Sequence, residues 1–200
     1  MLKYYIEIRL FPSQEIPHGF LLTKVYSKIH FALSIASTDG KCPVGISFPQ
    51  MDEESDRVGN IIRLFAEKES TLEALHLKDA FRRYADYIHM TSVREIRHVK
   101  GYETYSKMHF KNESSKIRRC AKMGNISQEE AKKKLRIPKD HPTYPAIQMT
   151  SSSTNQHYML LIHRESKPGS TDGMFNTFGF PTRIKKTDAK ATVPVFPVFG

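Results

Sequence analysis

Two cysteines in 200 residues, Cys42 and Cys120, make neither a CxxC pair nor a disulfide framework. A reducing compartment is the simpler reading. HExxH and paired Cys/His ligands are missing too, so spacing offers no metal site. GxSxG and a P-loop are absent, which removes the hydrolase elbow and the phosphate-cradling loop. No stretch approaches the roughly 18–20 apolar residues of a membrane span. The opening MLKYYIEIRL alternates and carries Glu7 and Arg9, unlike a signal peptide. No long basic amphipathic helix with bulky aromatics occurs, which disfavours an acidic membrane surface as partner. No solenoid-type repeat is found.

What the chain does have is charge of one sign in one place. Its formal net charge is +10, and Lys+Arg minus Asp+Glu gives −1 over residues 1–95, +8 over 96–140 and +3 over 141–200. A basic block beside a neutral half is an electrostatic footprint for a polyanion, with RNA the leading candidate. Two hundred residues with 39% apolar content allow one large domain or two small ones with a real core.

Periodicity organises the first half. Residues 3–10 alternate as a strand, and residues 18–36 repeat apolar side chains at helical spacing from Leu21 to Ala36. Strands are expected at 44–48 and 60–66, a helix at 70–84 and a further extended stretch at 89–99. The order β-α-β-β-α-β is the ferredoxin-like unit, which many RNA-binding modules use, although a fold alone assigns no function. In the second half, Asn112 can cap a helix to about Met123, with Gly124 just past its end. Ser127-Gln-Glu-Glu130 is a capping box for a second short helix. Residues 147–152, 157–163, 174–178 and 192–196 are expected to form a small antiparallel sheet. The fold class is therefore α+β: a ferredoxin-like (RRM-like) βαββαβ domain at 1–98, then an α+β domain at 99–200 with a basic helix at 113–123.

On a helical wheel, Lys116, Arg118, Arg119 and Lys122 share one face, while Ile117, Cys120 and Ala121 lie on the other. No acid falls between Lys116 and Lys122 to form helix ion pairs. The arrangement suits an RNA-facing helix, since arginine forks onto phosphates and guanine edges. A solvated surface helix is the plainer alternative. A helix-turn-helix over 113–135 is disfavoured, because the leading helix would carry the cations. His30 lies on the flank of the 18–36 helix, one turn after Tyr26, and by itself reads as a structural or surface residue. The run MTSSSTNQHY at 149–158 reads by composition as a polar turn entering a strand. Its clustered hydroxyls could also hold a nucleotide's phosphate.

Seven segments together carry a resemblance: YYIEIRL (4–10), KIHFAL (28–33), VGISFPQMDE (44–53), SKMHFKNESSKIRR (106–119), ISQEEAKKK (126–134), SSSTNQHYMLLI (151–162) and FGF (178–180). The chain resembles the type I-F CRISPR repeat-processing endoribonucleases, which stay on the guide RNA hairpin they cut. The resemblance implies a metal-independent endoribonuclease with no cofactor. It implies that His30 takes the proton of a ribose 2′-hydroxyl which Ser151 holds for attack. The products would be a 2′,3′-cyclic phosphate at the 3′ base of the repeat hairpin and a retained guide RNA. A nearby phosphate would favour the imidazolium, in which case histidine is instead the acid on the leaving oxygen; the sequence leaves the two roles open.

By the same resemblance, Ser153, Thr154 and Gln156 bind near the scissile phosphate and Tyr158 stacks on the closing base pair. The helix bearing Lys116, Arg118, Arg119 and Lys122 enters the hairpin's major groove. Implied partners are CRISPR precursor RNA, the mature guide RNA and the other subunits of a type I-F surveillance complex, in the cytoplasm and with no membrane. The chain also departs from the family pattern. Phe178 stands where a tyrosine hydroxyl helps place the histidine, Lys107 and His109 stand where Arg and Gln read bases, and Cys120 and Met123 replace expected cations. Lysine lacks arginine's two-pronged contact, and fewer phosphate contacts imply a shallower salt slope. Phe178 motivates the alternative of an RNA-hairpin-binding subunit with little or no catalysis.

Overall fold

The computed structural model describes residues 1–108, 113–134, 143–151, 154–182 and 189–198, with the backbone alone for residues 113–116. The first strand, β1 (Tyr4–Leu10), leads into α1 (His18–Ile35). β2 (Gly45–Ser47), β3 (Ile61–Ala66), β4 (Ile88–Met90) and β5 (Arg94–Glu95) complete an antiparallel sheet of order β2-β3-β1-β4, with β5 also on β1. A second sheet has the order β7-β8-β6-β9, from β6 (Gly101–Met108), β7 (Ala146–Thr150), β8 (His157–Lys167) and β9 (Val193–Val195). The fold is thus mixed α and β with two sheets. Among the described residues, no helix is long and apolar enough to cross a membrane.

The register sorts the first sheet's faces. Tyr5 opposes Phe65 and Glu7 opposes Arg63, while Ile6 opposes Leu64 and Ile8 opposes Ile62. Side chains alternate along a strand, so these pairs point to opposite sides. The isoleucine side is buried, and α1 packs along β1 with Leu21, Val25, Ile29 and Leu33 in the core. On the other side the Phe196 ring meets Tyr5 edge-on at 4.8 Å and Phe65 at 6.1 Å. Arg63, only 1% exposed, donates to Glu7 Oε2 at 2.8 Å and to the carbonyls of Phe196 and Pro197 at 2.9 and 3.0 Å. Its guanidinium also lies 4.0 Å from the centre of the Phe196 ring.

Compactness groups the chain differently from the 1–98 and 99–200 halves read from sequence. Met1–Lys107 and Tyr144–Gly200 form one compact unit, and Met108–Thr143 form the other. The segment around Phe196 belongs to the core of the first sheet, so the second sheet falls in the same unit.

Three local expectations are corrected. The helix expected over 70–84 is broken into α2 (Glu69–Glu73), α3 (Leu77–Ala80) and a 3-10 turn at Arg82–Tyr84, with His76 left-handed at φ 47°. Leu75 and Leu77 are both buried, and two residues apart on one helix they would point in nearly opposite directions. Residues 174–178 form a loop rather than a strand, for the reason given below. In the second unit, α4 (Glu113–Gly124) ends with Asn125, not Gly124, in the left-handed position at φ 48°. Ile126 N–H reaches back to the Ala121 carbonyl at 3.1 Å, which is the Schellman closure with asparagine in place of glycine. The capping box is present as read: Glu130 N–H donates to Ser127 Oγ at 3.2 Å and Ser127 N–H to Glu130 Oε2 at 3.0 Å, opening α5 (Gln128–Lys134).

Candidate nuclease site

His30 is half-buried on the flank of α1 and faces a loop that Asn176 builds. Asn176 Oδ1 accepts from the N–H groups of Phe178 and Phe180 at 2.9 and 3.2 Å. Its carbonyl accepts from Gly179 N–H at 2.8 Å. An asparagine that captures backbone donors two and four residues on competes with strand pairing, so the chain turns at 176–179, and within 174–178 strand-like pairing is confined to the bridges of Phe175 to Cys42 and Pro181. Gly179 sits at φ 73°, and its carbonyl accepts from Ile46 N–H at 3.0 Å, fixing the loop to β2.

Held this way, the loop presents two successive carbonyls to α1. Thr177 O lies 2.7 Å from His30 Nδ1, and Phe178 O accepts from Tyr26 Oη at 2.8 Å. Burial, and then the neighbouring Tyr158 hydroxyl, push Tyr26 well above the ordinary tyrosine range, so it stays a phenol and a donor. The Phe178 ring stacks on the imidazole with centroids 4.3 Å apart and planes 9° from parallel. A carbonyl can only accept, so Nδ1 carries the proton in this contact. Nε2 is then the ring nitrogen left to exchange a proton.

An alanine at 179 would place Cβ 2.5 Å from Ile46 Cγ1 in a left-handed backbone that side chains avoid. We expect Gly179→Ala to cost about 2–3 kcal/mol of stability, read by thermal or denaturant unfolding. An unchanged midpoint would show that the loop yields freely.

A lysine links the His30–Phe178 pair to two further strands. Lys107 Nζ on β6 lies 4.8 Å from the centre of the Tyr158 ring on β8 and 5.1 Å from that of Phe178. Burial lowers the Lys107 ammonium's pKa and raises that of the Tyr158 hydroxyl. His30, Phe178, Lys107 and Tyr158 therefore form one connected cluster drawn from a helix, a loop and two strands.

Ser151 follows β7, against which α1 packs, with Ser27 Oγ 3.9 Å from Met149 Sδ. Its turn is closed by Ser151 N–H to Gln156 O and Asn155 N–H to Ser151 O, both 2.9 Å, and Ser151 Oγ accepts from Thr154 N–H at 3.3 Å. Asn155 is left-handed at φ 53°, and Thr154 and Gln156 are exposed. His30 and Ser151 thus belong to neighbouring elements of one unit. Ser153 and His109 lie outside the described residues, as does the side chain of Lys116.

A family model for CRISPR-associated protein (Cas_Csy4) matches residues 5–196. The chain belongs to the Cas_Csy4 family. It is 29% identical over 183 residues to the CRISPR-associated endonuclease Cas6/Csy4 of Pseudomonas aeruginosa (strain UCBPP-PA14), covering 89% of this chain and 95% of that protein. It is 26% identical over 198 residues to the protein of the same description from Escherichia coli (strain UTI89 / UPEC), covering 98% and 100%. Among solved structures it is similar to one described as "An RAMP protein binding different RNA substrates", at 11% identity and a TM-score of 0.37, with 98% and 100% covered.

In this Cas_Csy4 chain the second unit holds the basic helix. Arg118, Arg119 and Lys122 on α4 are exposed, Ile117, Cys120 and Ala121 are half-buried, and α4 packs on α5. Sequence reading missed Asn176 and Thr177, which set the histidine's bonding. The Asn-x-x-Gly spacing at 176–179 is the signal that could have found them. The missing hydroxyl at Phe178 does not leave His30 without a hydrogen bond, because the Thr177 carbonyl supplies one.

Proposed function

We propose that this chain is a metal-independent endoribonuclease that cleaves CRISPR precursor RNA at the 3′ base of the repeat hairpin and retains the guide RNA. The observation that carries the reading is the Nδ1–carbonyl bond of His30, which leaves Nε2 as the nitrogen available for proton exchange with the RNA. The two matched relatives of this family are named as endonucleases.

In this reading Nε2 takes the proton of the ribose 2′-hydroxyl, which Ser151 holds. The 2′-oxygen forms a bond to phosphorus, the bond to the 5′-oxygen breaks, and that oxygen takes up a proton. The fragments end in a 2′,3′-cyclic phosphate and a 5′-hydroxyl. Thr154, Gln156 and Ser153 bind near the scissile phosphate, and Tyr158 stacks on the closing base pair. Lys116, Arg118, Arg119 and Lys122 bind the stem, with Lys107 and His109 near its foot. The order β2-β3-β1-β4 with intervening helices supports a ferredoxin-like domain at 1–98 that carries the histidine, with hairpin binding assigned to 99–200. Action in the cytoplasm beside the other subunits of a type I-F surveillance complex belongs to the same proposal.

A repeat hairpin incubated with the protein in EDTA is expected to be cut, and a single 2′-deoxy substitution just upstream of the cut is expected to abolish cleavage. Cleavage that requires magnesium would overturn this chemistry. Phe178, with no hydroxyl, favours a second reading: a hairpin-binding subunit with little catalysis, in which His30 is dispensable for guide-RNA yield.

A further inference from the structure

We propose that Lys107 is a second catalytic residue, whose ammonium binds a non-bridging oxygen of the scissile phosphate and offsets the negative charge that builds there during attack. The proposal rests on the endoribonuclease reading and deepens it. It differs from the base-reading role that the family resemblance implies for position 107.

Three observations carry it. The first is place. The Lys107 ammonium lies over both Tyr158 and Phe178, and Phe178 is stacked on the imidazole of His30. One ring separates the cation from the group proposed to start the reaction. The second is partners. Among the described residues no carboxylate pairs with Lys107, and burial is the cause behind its lowered pKa. A partly desolvated cation that meets ring faces and, among the described residues, no carboxylate is open to an incoming anion. Ring quadrupoles hold it weakly compared with a charge-assisted bond to phosphate. The third is chemistry. Lysine is a compact point charge with three donors on a flexible stem, whereas a planar base edge is read best by the rigid fork of arginine. Its reach suits an oxygen whose charge grows as phosphorus becomes five-coordinate. Lys107 keeps all its protons throughout, and no bond to it forms or breaks.

The test uses the full chain with a CRISPR repeat hairpin from its own array. Single-turnover rates are measured at saturating protein, and affinity is measured separately on the 2′-deoxy hairpin. Lys107→Met is expected to slow cleavage at saturating protein by about 10²–10³-fold, over and above any affinity lost at the stem's foot, and Lys107→Arg, which keeps the charge, is expected to recover most of the rate. Sulfur in place of one non-bridging oxygen is expected to slow the wild type and to add little to Lys107→Met. If the wild type cuts but Lys107→Met and Lys107→Gln cut equally fast at saturation, or lose only affinity or base preference, the catalytic assignment of Lys107 fails while the endoribonuclease reading stands. If the wild type cuts no hairpin, both fall together.

Discussion

Replacing His30 by alanine is expected to slow hairpin cleavage by about 10²–10⁴-fold, the range for a lost general base, or about 3–5 kcal/mol of barrier. Hairpin affinity is expected to stay within about twofold to threefold, because the cationic face of α4 belongs to the other compact unit. The imidazole's structural share is small by comparison. It stacks on Phe178 and bonds the Thr177 carbonyl, and such a ring pair is worth about 0.5–1.5 kcal/mol beyond its buried area. A well-folded variant that binds and no longer cuts is therefore the predicted phenotype. Single-turnover assays with binding measured in parallel decide the matter, and an undiminished rate would favour the hairpin-binding subunit instead.

Arg63→Met is expected to cost about 3–5 kcal/mol of stability, the range for a buried ion pair stripped of one partner. The loss is larger than a packing change because three acceptors are affected at once. Glu7 loses the cation at 2.8 Å, and the carbonyls of Phe196 and Pro197 lose donors at 2.9 and 3.0 Å. Arg9, 3.3 Å from the other Glu7 oxygen, is 30% exposed and compensates only in part. For a chain of this size each kcal/mol moves the melting temperature by roughly 2–4 °C, so scanning calorimetry should register a fall of roughly 6–20 °C. Adding Glu7→Gln should recover part of it, since the orphaned charge is then gone. A fall equivalent to less than about 1 kcal/mol would mean that Phe196 packing alone holds the segment.

What could be read from the letters followed the range of the interactions. The alternation of 3–10, the apolar repeat of 18–36 and the Ser127–Glu130 box are set within a few residues, and β1, α1 and α5 stand where these signals lie. The flank position of His30 came from the same helical arithmetic. The break at His76 was hidden because Leu72, Leu75, Leu77 and Phe81 mimic one apolar repeat, although burying Leu75 and Leu77 together requires a turn. The loop at 174–178 was hidden because its aromatic residues look strand-like until Asn176 is seen to bond Phe178 and Phe180. Arg63 within IIRLFA gave no sign of its buried partners, which lie 133 and 134 residues away. The nearness of Lys107 to Phe178 is of the same long-range kind. The roles proposed for His30 and Ser151 came from the family likeness, and the structure adds the hydrogen bonds that each makes within the protein.

The arginine beneath Phe196 also has a consequence for biosynthesis. At 5–20 residues per second, the ribosome adds the 133 residues separating Arg63 from Phe196 in roughly 7–27 s. Throughout that interval a nascent amino-terminal sheet would show a bare aromatic flank and a guanidinium lacking two of its acceptors. Slow translation across the intervening segment would lengthen that exposure.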